Sequence, residues 1–261
     1  MNLYEALVLG VVQGLTEYLP VSSSGHLVLL QKIFGIKENV LLFDILVHLG
    51  TLVPLLIIFR AEIWEIIKKP WGRLPLLIIA GTIPTALIGL GFRDFFERLF
   101  VSGSTLGIEF IITGLILWLA ERQKSGRKEL DKTTFLDAIF IGVAQGLAIL
   151  PAISRSGLTI SGALVRGLNR EWAAKFSFLL SIPAILGAAI LDLRNFIGQN
   201  LDFSSNELLP FIIGFLAAML SGYFAVKFML EILRKGKLTW FSYYVWILGV
   251  IILVLQAAGK F

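Results

Sequence analysis

The chain has 261 residues, 57% of them hydrophobic and only 16% charged, with a mean hydropathy of +0.85, which excludes an ordinary soluble domain because no such domain needs that much apolar surface. The absence of cysteine excludes a disulfide framework, a thiolate metal site and a thiol nucleophile. The net charge of +5 does not point to nucleic acid, since the lysines and arginines fall between apolar runs, where positive-inside loops of a membrane protein would place them.

The N-terminal stretch from Met1 to Leu9 carries Glu5 and no basic region, so it does not read as a cleaved signal peptide. Two apolar stretches follow one another at about 3–17 and 22–34, separated by Pro20 and a run of small residues. Fifteen residues of helix reach roughly 22 Å, short of a hydrocarbon core of about 30 Å. A re-entrant helical hairpin is therefore expected, with its irregular turn facing protein or a wet cavity rather than lipid. Three longer runs come next, at about 40–59, 74–91 and 104–120. The same order then repeats: short stretches at about 134–149 and 155–168, and long runs at 172–191, 208–228 and 240–258.

The expected fold is thus an all-α polytopic membrane protein, one integral domain over 1–261 with repeat halves 1–130 and 131–261. Each half is a re-entrant hairpin plus three transmembrane helices, giving six spans and two hairpins. Three spans per half is an odd number, so the second half enters from the opposite side and the repeat is inverted. One side receives Arg60, Lys68, Lys69, Arg73, Arg122, Lys124, Arg127, Lys128, Lys132, Arg166, Arg170, Arg234, Lys235 and Lys237. The other receives Lys32, Lys37, Arg93, Arg98, Arg194 and Lys260. The richer side is expected to be cytoplasmic, which places both termini and the mouth of the first hairpin outside. Trp64, Trp71, Trp118, Trp172 and Trp240 near the span ends read as an interfacial belt, and Lys175, Asp192 and Lys227 as snorkelling residues.

The chemistry is concentrated in the two turns, which read GVVQGLTEYLPVSSSGH at 10–26 and GVAQGLAILPAISRSG at 142–157. Paired interruptions at matching positions are the best sequence pointer to a binding site in a membrane protein. Gln13 and Glu17 share one face of the first half-helix at the end that dips into the membrane. An ionised carboxylate at that depth needs a cation as partner. Ser22, Ser23, Ser24 and Gly25 open the next half-helix, where free N–H groups and hydroxyls form an anion site. His26 reaches back over the same first turn and puts a base beside two hydroxyls.

In the second turn Arg155 stands in place of Ser23, flanked by Ser154 and Ser156 and followed by Gly157 and Thr159. A guanidinium is a natural fork for phosphate oxygens. Where the two turns meet, Glu17, Ser23 and His26 face Arg155, and a phosphate can be held beside a base. The plainer readings are that Gly and Ser serve close helix packing and that Glu17 and Arg155 merely neutralise each other. Asp44 and His48 share a face of the first full span, as a polar pair, an ion path or an outer layer of the site.

These motifs resemble the undecaprenyl-diphosphate phosphatases, the bacitracin-resistance proteins of bacterial envelopes, over essentially the whole chain. QGLTEYLPVSSSGH is similar to that family's (Glu/Gln)-x-x-x-Glu motif running into Pro-x-Ser-Ser-x-Gly-His, and PAISRSGLTISG to its Pro-x-x-Ser-Arg-Ser-Gly-x-Thr motif. The resemblance implies hydrolysis of undecaprenyl diphosphate to the monophosphate carrier lipid and inorganic phosphate, which recycles the carrier for cell-wall synthesis. It implies a divalent metal, a bacterial plasma-membrane location, an active site open to the outside, and a homodimer as a possible assembly. By position, Glu17, Ser23, His26 and Arg155 are the functional residues, with Ser22, Ser24, Gly25, Ser154, Ser156 and Thr159 around the phosphate. Many members carry Glu where this chain has Gln13, so the metal site is Glu17 with Gln13 rather than two carboxylates. Oxygen ligation favours Mg²⁺ or Ca²⁺. His26 is either base to Ser23 or water, or the nucleophile. The phosphatidic-acid-phosphatase type also carries Ser-Gly-His and Ser-Arg, but needs a second histidine after the arginine, and none follows His48. A polyprenyl-phosphate flippase is the alternative from another class, because inverted repeats with broken helices are a transporter architecture.

Overall fold

The computed structural model describes residues 1–36, 40–123, 126–197, 208–235 and 237–259. Lys37, Lys124 and Lys260, assigned to sides of the membrane above, lie outside them. The described residues form twelve α-helices and one short 3-10 turn. The first half contains α1 (Leu3–Tyr18), α2 (Ser23–Phe34), α3 (Val40–Ile58), α4 (Arg60–Lys68), α5 (Arg73–Gly91), α6 (Arg93–Ser102) and α7 (Leu106–Glu121). The second contains α8 (Phe135–Leu147), α9 (Arg155–Val165), α10 (Arg170–Ile197), α11 (Leu208–Lys235) and α12 (Thr239–Ala257). Among the described residues α3, α5, α10, α11 and α12 are long and apolar enough to cross a membrane, and α6 with α7, bent by 110°, makes a sixth if counted as one broken span. The protein is a helical, polytopic membrane protein.

Local chemistry sets the helix ends. Asn2 and Glu5 form a capping box on α1, and Thr134 with Asp137 forms one on α8. Ser22 caps α2 by accepting from the Gly25 amide, and Ser154 caps α9 by accepting from the Gly157 amide. Ser22 reaches this position with φ +67°, the single non-glycine residue in the left-handed region among the described residues. That conformation costs on the order of 1 kcal/mol or more for an L-residue and is held by the turn around it.

Helix packing relies on small residues, as expected where lipid supplies no hydrophobic drive between helices. Gly10 of α1 lies against Gly214 and Ala217 of α11, and Gly14 against Ala218, Ser221 and Gly222. In the other half, Gly142 of α8 lies against Gly81 of α5. The first helix of each half therefore packs on a long helix of the other half. Tyr18, Phe59, Phe176, Phe178 and Leu180 fill the core between these layers.

Two helices were not expected. α4 and α6 are short and charged, with Trp64 and Ile67 exposed on α4, and Phe95 and Val101 on α6. Such amphipathic segments fit an interface rather than a span. Trp172 departs from the belt: it is 8% exposed and donates its indole N–H to Thr133 Oγ1 at 2.8 Å. Trp64, Trp71 and Trp240 are exposed as expected. Lys175, read as snorkelling, is paired with Glu62 at 2.5 Å.

At the start of α8, outside the spans, the fully buried Asp137 carboxylate takes Lys128 Nζ at 2.9 Å, Arg166 Nε at 2.7 Å and the Thr134 amide at 3.0 Å. Burial pushes this carboxyl up, but Lys128, the Thr134 amide and Arg166 outweigh it and bring the pKa down to about 2. The cluster ties the ends of α8 and α9 together on the side away from their turn.

Candidate active site

The turn between α1 and α2 meets the turn between α8 and α9, and the two are stitched together in both directions. Ser22 Oγ and Ser24 Oγ donate to the Pro151 carbonyl at 2.9 and 2.7 Å, while Ser156 Oγ donates to the Leu19 carbonyl at 3.0 Å. The hydroxyls of one tip thus satisfy the backbone of the other, which buried irregular backbone requires.

Glu17, at the end of α1 and 5% exposed, is the centre of the site. Its Oε1 accepts from Arg155 Nη2, and its Oε2 from Ser23 Oγ and, at 2.9 Å, from Gln13 Nε2. His48 Nε2 lies 3.7 Å from Oε2. The His48 Nδ1 donates to the Asp44 carbonyl at 2.7 Å, and Asp44 Oδ1 accepts from Gln31 Nε2 at 2.7 Å. His48 thus faces the carboxylate, with its ring held by the Asp44 carbonyl on the first long helix.

Arg155 is only partly used by this pairing, because its Nη1 is buried with no hydrogen-bond partner among the described residues. Gln13 Oε1 is in the same position. A buried donor and a buried acceptor left open beside one carboxylate mark places for a bound group. The open donor suits an anionic oxygen.

His26 is 7% exposed and held on several sides. Its Nδ1 lies 2.6 Å from the Ser22 carbonyl oxygen, which can only accept, so Nδ1 carries the proton. Its Nε2 lies 2.7 Å from the Tyr244 hydroxyl. The Tyr244 ring lies nearly parallel to it with centroids 5.7 Å apart, and Phe110 meets it edge-on at 5.5 Å. The imidazole reaches back over its own helix turn, but to the Ser22 carbonyl rather than to the serine hydroxyls. The Ser23 hydroxyl is engaged with Glu17.

The second turn is braced from α7. Glu109, 4% exposed, accepts the Ala152 amide at 2.7 Å. Thr113 Oγ1 donates to the Ala152 carbonyl at 2.9 Å and accepts the Ser154 amide at 3.2 Å. Thr159 is engaged with Ser177 of α10 at 2.5 Å, and Ser154 Oγ with the Gly157 amide and Ser156 Oγ. Sequence reasoning missed Glu109, Thr113 and Tyr244. An acid inside an apolar run is itself a signal for Glu109; a threonine and a tyrosine in membrane helices give none.

A divalent cation was expected at Glu17 with Gln13. Among the described residues no group of three or more His, Asp or Glu side chains converges. The chain offers the open Gln13 amide oxygen beside the Glu17 carboxylate, whose oxygens are met by Arg155, Ser23 and Gln13; Mg²⁺ or Ca²⁺ there would have to take a Glu17 oxygen from these donors and its other ligands from substrate and water.

A family model described as bacitracin resistance protein BacA matches residues 6–251. The chain is 88% identical to an undecaprenyl-diphosphatase of Carboxydothermus hydrogenoformans, with all of both chains covered. It is 47% identical to one of Halothermothrix orenii and 49% to undecaprenyl-diphosphatase 4 of Bacillus cereus, again over the full length of each.

Proposed function

The chain belongs to the bacitracin resistance protein BacA family, and from that premise we infer that it is an undecaprenyl-diphosphatase: it hydrolyses undecaprenyl diphosphate to undecaprenyl phosphate and inorganic phosphate, a reaction that recycles the lipid carrier and underlies bacitracin resistance. The observation that carries the site assignment is the Glu17–Arg155 pair across the two turns, with Arg155 Nη1 left open.

Phosphoryl transfer asks chiefly for positioning and for neutralisation of the non-bridging oxygens. Arg155 supplies a fixed guanidinium whose free N–H faces an incoming terminal phosphate oxygen. Glu17 holds that guanidinium in place, and Ser23 and Gln13 hold Glu17. Ser22, Ser24, Ser154 and Ser156, with the Gly25 and Gly157 amides, fix the two half-helix starts against each other. Their dipoles favour the same anion. Thr159 anchors the Arg155 turn on α10. The protonated Nδ1 of His26 leaves Nε2 as the ring nitrogen with a lone pair. His26 acts through Nε2 on the terminal phosphorus or on a water, while the Ser23 hydroxyl keeps its hydrogen bond to Glu17. The bond that breaks joins that phosphorus to the bridging oxygen, which departs with the lipid monophosphate. A divalent cation held by Glu17 and Gln13 would add charge neutralisation on the diphosphate.

The same reading makes α1–α2 and α8–α9 re-entrant hairpins of an inverted repeat. Matching caps support it, as does the exchange by which α1 packs on α11 and α8 on α5. The excess of Lys and Arg on one set of loops supports a site opening to the outer side of the bacterial plasma membrane. The test is release of inorganic phosphate from undecaprenyl diphosphate by purified protein in detergent. A flippase needs two compartments and releases none; a phosphatase releases it in micelles.

A further inference from the structure

We propose that Tyr244 is a positioning residue for His26: its hydroxyl, with the Ser22 carbonyl, clamps the imidazole in one tautomer and one orientation, and occupies Nε2 until substrate takes its place. The proposal rests on the reading of His26 given above.

The argument starts from donor and acceptor rules. The Ser22 carbonyl 2.6 Å from Nδ1 fixes a proton on that nitrogen. The neutral ring then presents Nε2 as an acceptor, and the Tyr244 hydroxyl at 2.7 Å donates to it. The two rings lie within 8° of parallel with centroids 5.7 Å apart, so the phenol meets the imidazole edge to edge through its hydroxyl. Phe110 closes a further side at 87°. Holding a reacting group this tightly is worth much in a rate, because small misplacements are costly.

Tyr244 is also placed to yield. It belongs to α12, whose neighbour is α7 through the Gly107–Gly249 approach and the Trp246 indole donating to the Ile111 carbonyl at 3.0 Å. Among the described residues its hydroxyl bonds only His26, and the residue is 47% exposed. A phenol with one bond and an open flank can turn away when the terminal phosphorus or a water arrives at Nε2, leaving the ring held by Ser22 and Phe110. The neighbouring Tyr243 packs on Trp240 and Trp246 instead, which makes it the natural control.

The experiment compares wild type, Tyr244→Phe and Tyr243→Phe in detergent by steady-state phosphate release, and by nitrogen NMR of histidine-labelled protein. With only two histidines in the chain, a His48→Gln background assigns the His26 signals. Tyr244→Phe keeps ring volume and removes only the hydroxyl. Because the hydroxyl orders the ring before substrate arrives and has left Nε2 in the substrate complex, the expected result is a fall in kcat/KM of about 10-fold with kcat held within about 2-fold, a shift of the His26 Nε2 resonance towards that of an unbonded acceptor, and no change in Tyr243→Phe. An unmoved Nε2 resonance overturns the clamp whether or not the protein hydrolyses its substrate. A hydrolysing wild type matched in kcat/KM by Tyr244→Phe overturns the positioning role alone, and a wild type that releases no phosphate overturns the reading beneath it.

Discussion

Glu17 and Arg155 stand 138 positions apart in the chain and meet as a buried ion pair, one from each turn. Neither half of the sequence can build this contact alone. Its consequences for stability differ from its consequences for chemistry, because a buried pair costs desolvation on both sides and becomes unfavourable when one partner is removed.

Glu17→Gln leaves the Arg155 guanidinium without a counter-charge, and Arg155→Met leaves the carboxylate with only the partially exposed His48 nearby. Each single change is expected to destabilise by about 3–5 kcal/mol, and the double change Glu17→Gln with Arg155→Met by clearly less than the sum. Thermal unfolding of the four proteins in detergent checks this. Additive losses would show that the two side chains do not interact.

The Ser23 hydroxyl donates to Glu17, and in the mechanism proposed above His26, not Ser23, acts on the phosphorus or on water. Rapid acid and base quenching with substrate labelled in its terminal phosphate is expected to give no acid-stable phosphoserine at Ser23. A base-stable, acid-labile label on His26 identifies that ring as the nucleophile, and no label identifies it as a base to water. Phosphoserine at Ser23 would contradict the assignment.

Gly14 lets α1 approach α11 so closely that a Cβ would fall on Ser221 Oγ and on the Ala218 carbonyl. Gly14→Leu is expected to push the end of α1 away and displace Glu17 three residues on, losing on the order of 100-fold in activity. Gly91, where a Cβ meets nothing within 4 Å, tolerates the same change. Equal losses at both positions would remove the packing argument.

Asp137 sets an acid limit on one end of the second hairpin. Its pKa of about 2 lies below the ordinary value of 3.8, so its contribution is fully present above about pH 4 and is lost as pH falls through about 2. That shift corresponds to about 2 kcal/mol. Asp137→Asn is expected to lose that stability at neutral pH and to show a flatter decline between about pH 4 and 2 than wild type. Parallel acid-unfolding curves would contradict it.

The sequence revealed what periodicity and punctuation encode. The stretches at 3–17 and 22–34 became α1 and α2 within a residue, because Pro20 and the small residues around it end one helix and Ser22 caps the next. Glu17, Ser23 and Arg155 were legible as isolated polar groups in apolar surroundings. α4 and α6 were not, since their charges lower hydropathy while their apolar faces are too short to register. Trp172 looked like a belt residue because position along a span does not reveal the Thr133 hydroxyl behind it. Tyr244 was invisible for a related reason: its partner His26 is 218 positions away, and a tyrosine in a membrane helix is unremarkable until its hydroxyl is seen to have a destination.

The central claim is that two turns from opposite halves form one phosphate site, and phosphate release by purified Arg155→Ala and His26→Ala proteins tests it most directly. Each variant, with folding verified by circular dichroism and gel filtration in detergent, is expected to lose at least about 100-fold in kcat/KM on undecaprenyl diphosphate. Wild-type release from either variant would contradict the account.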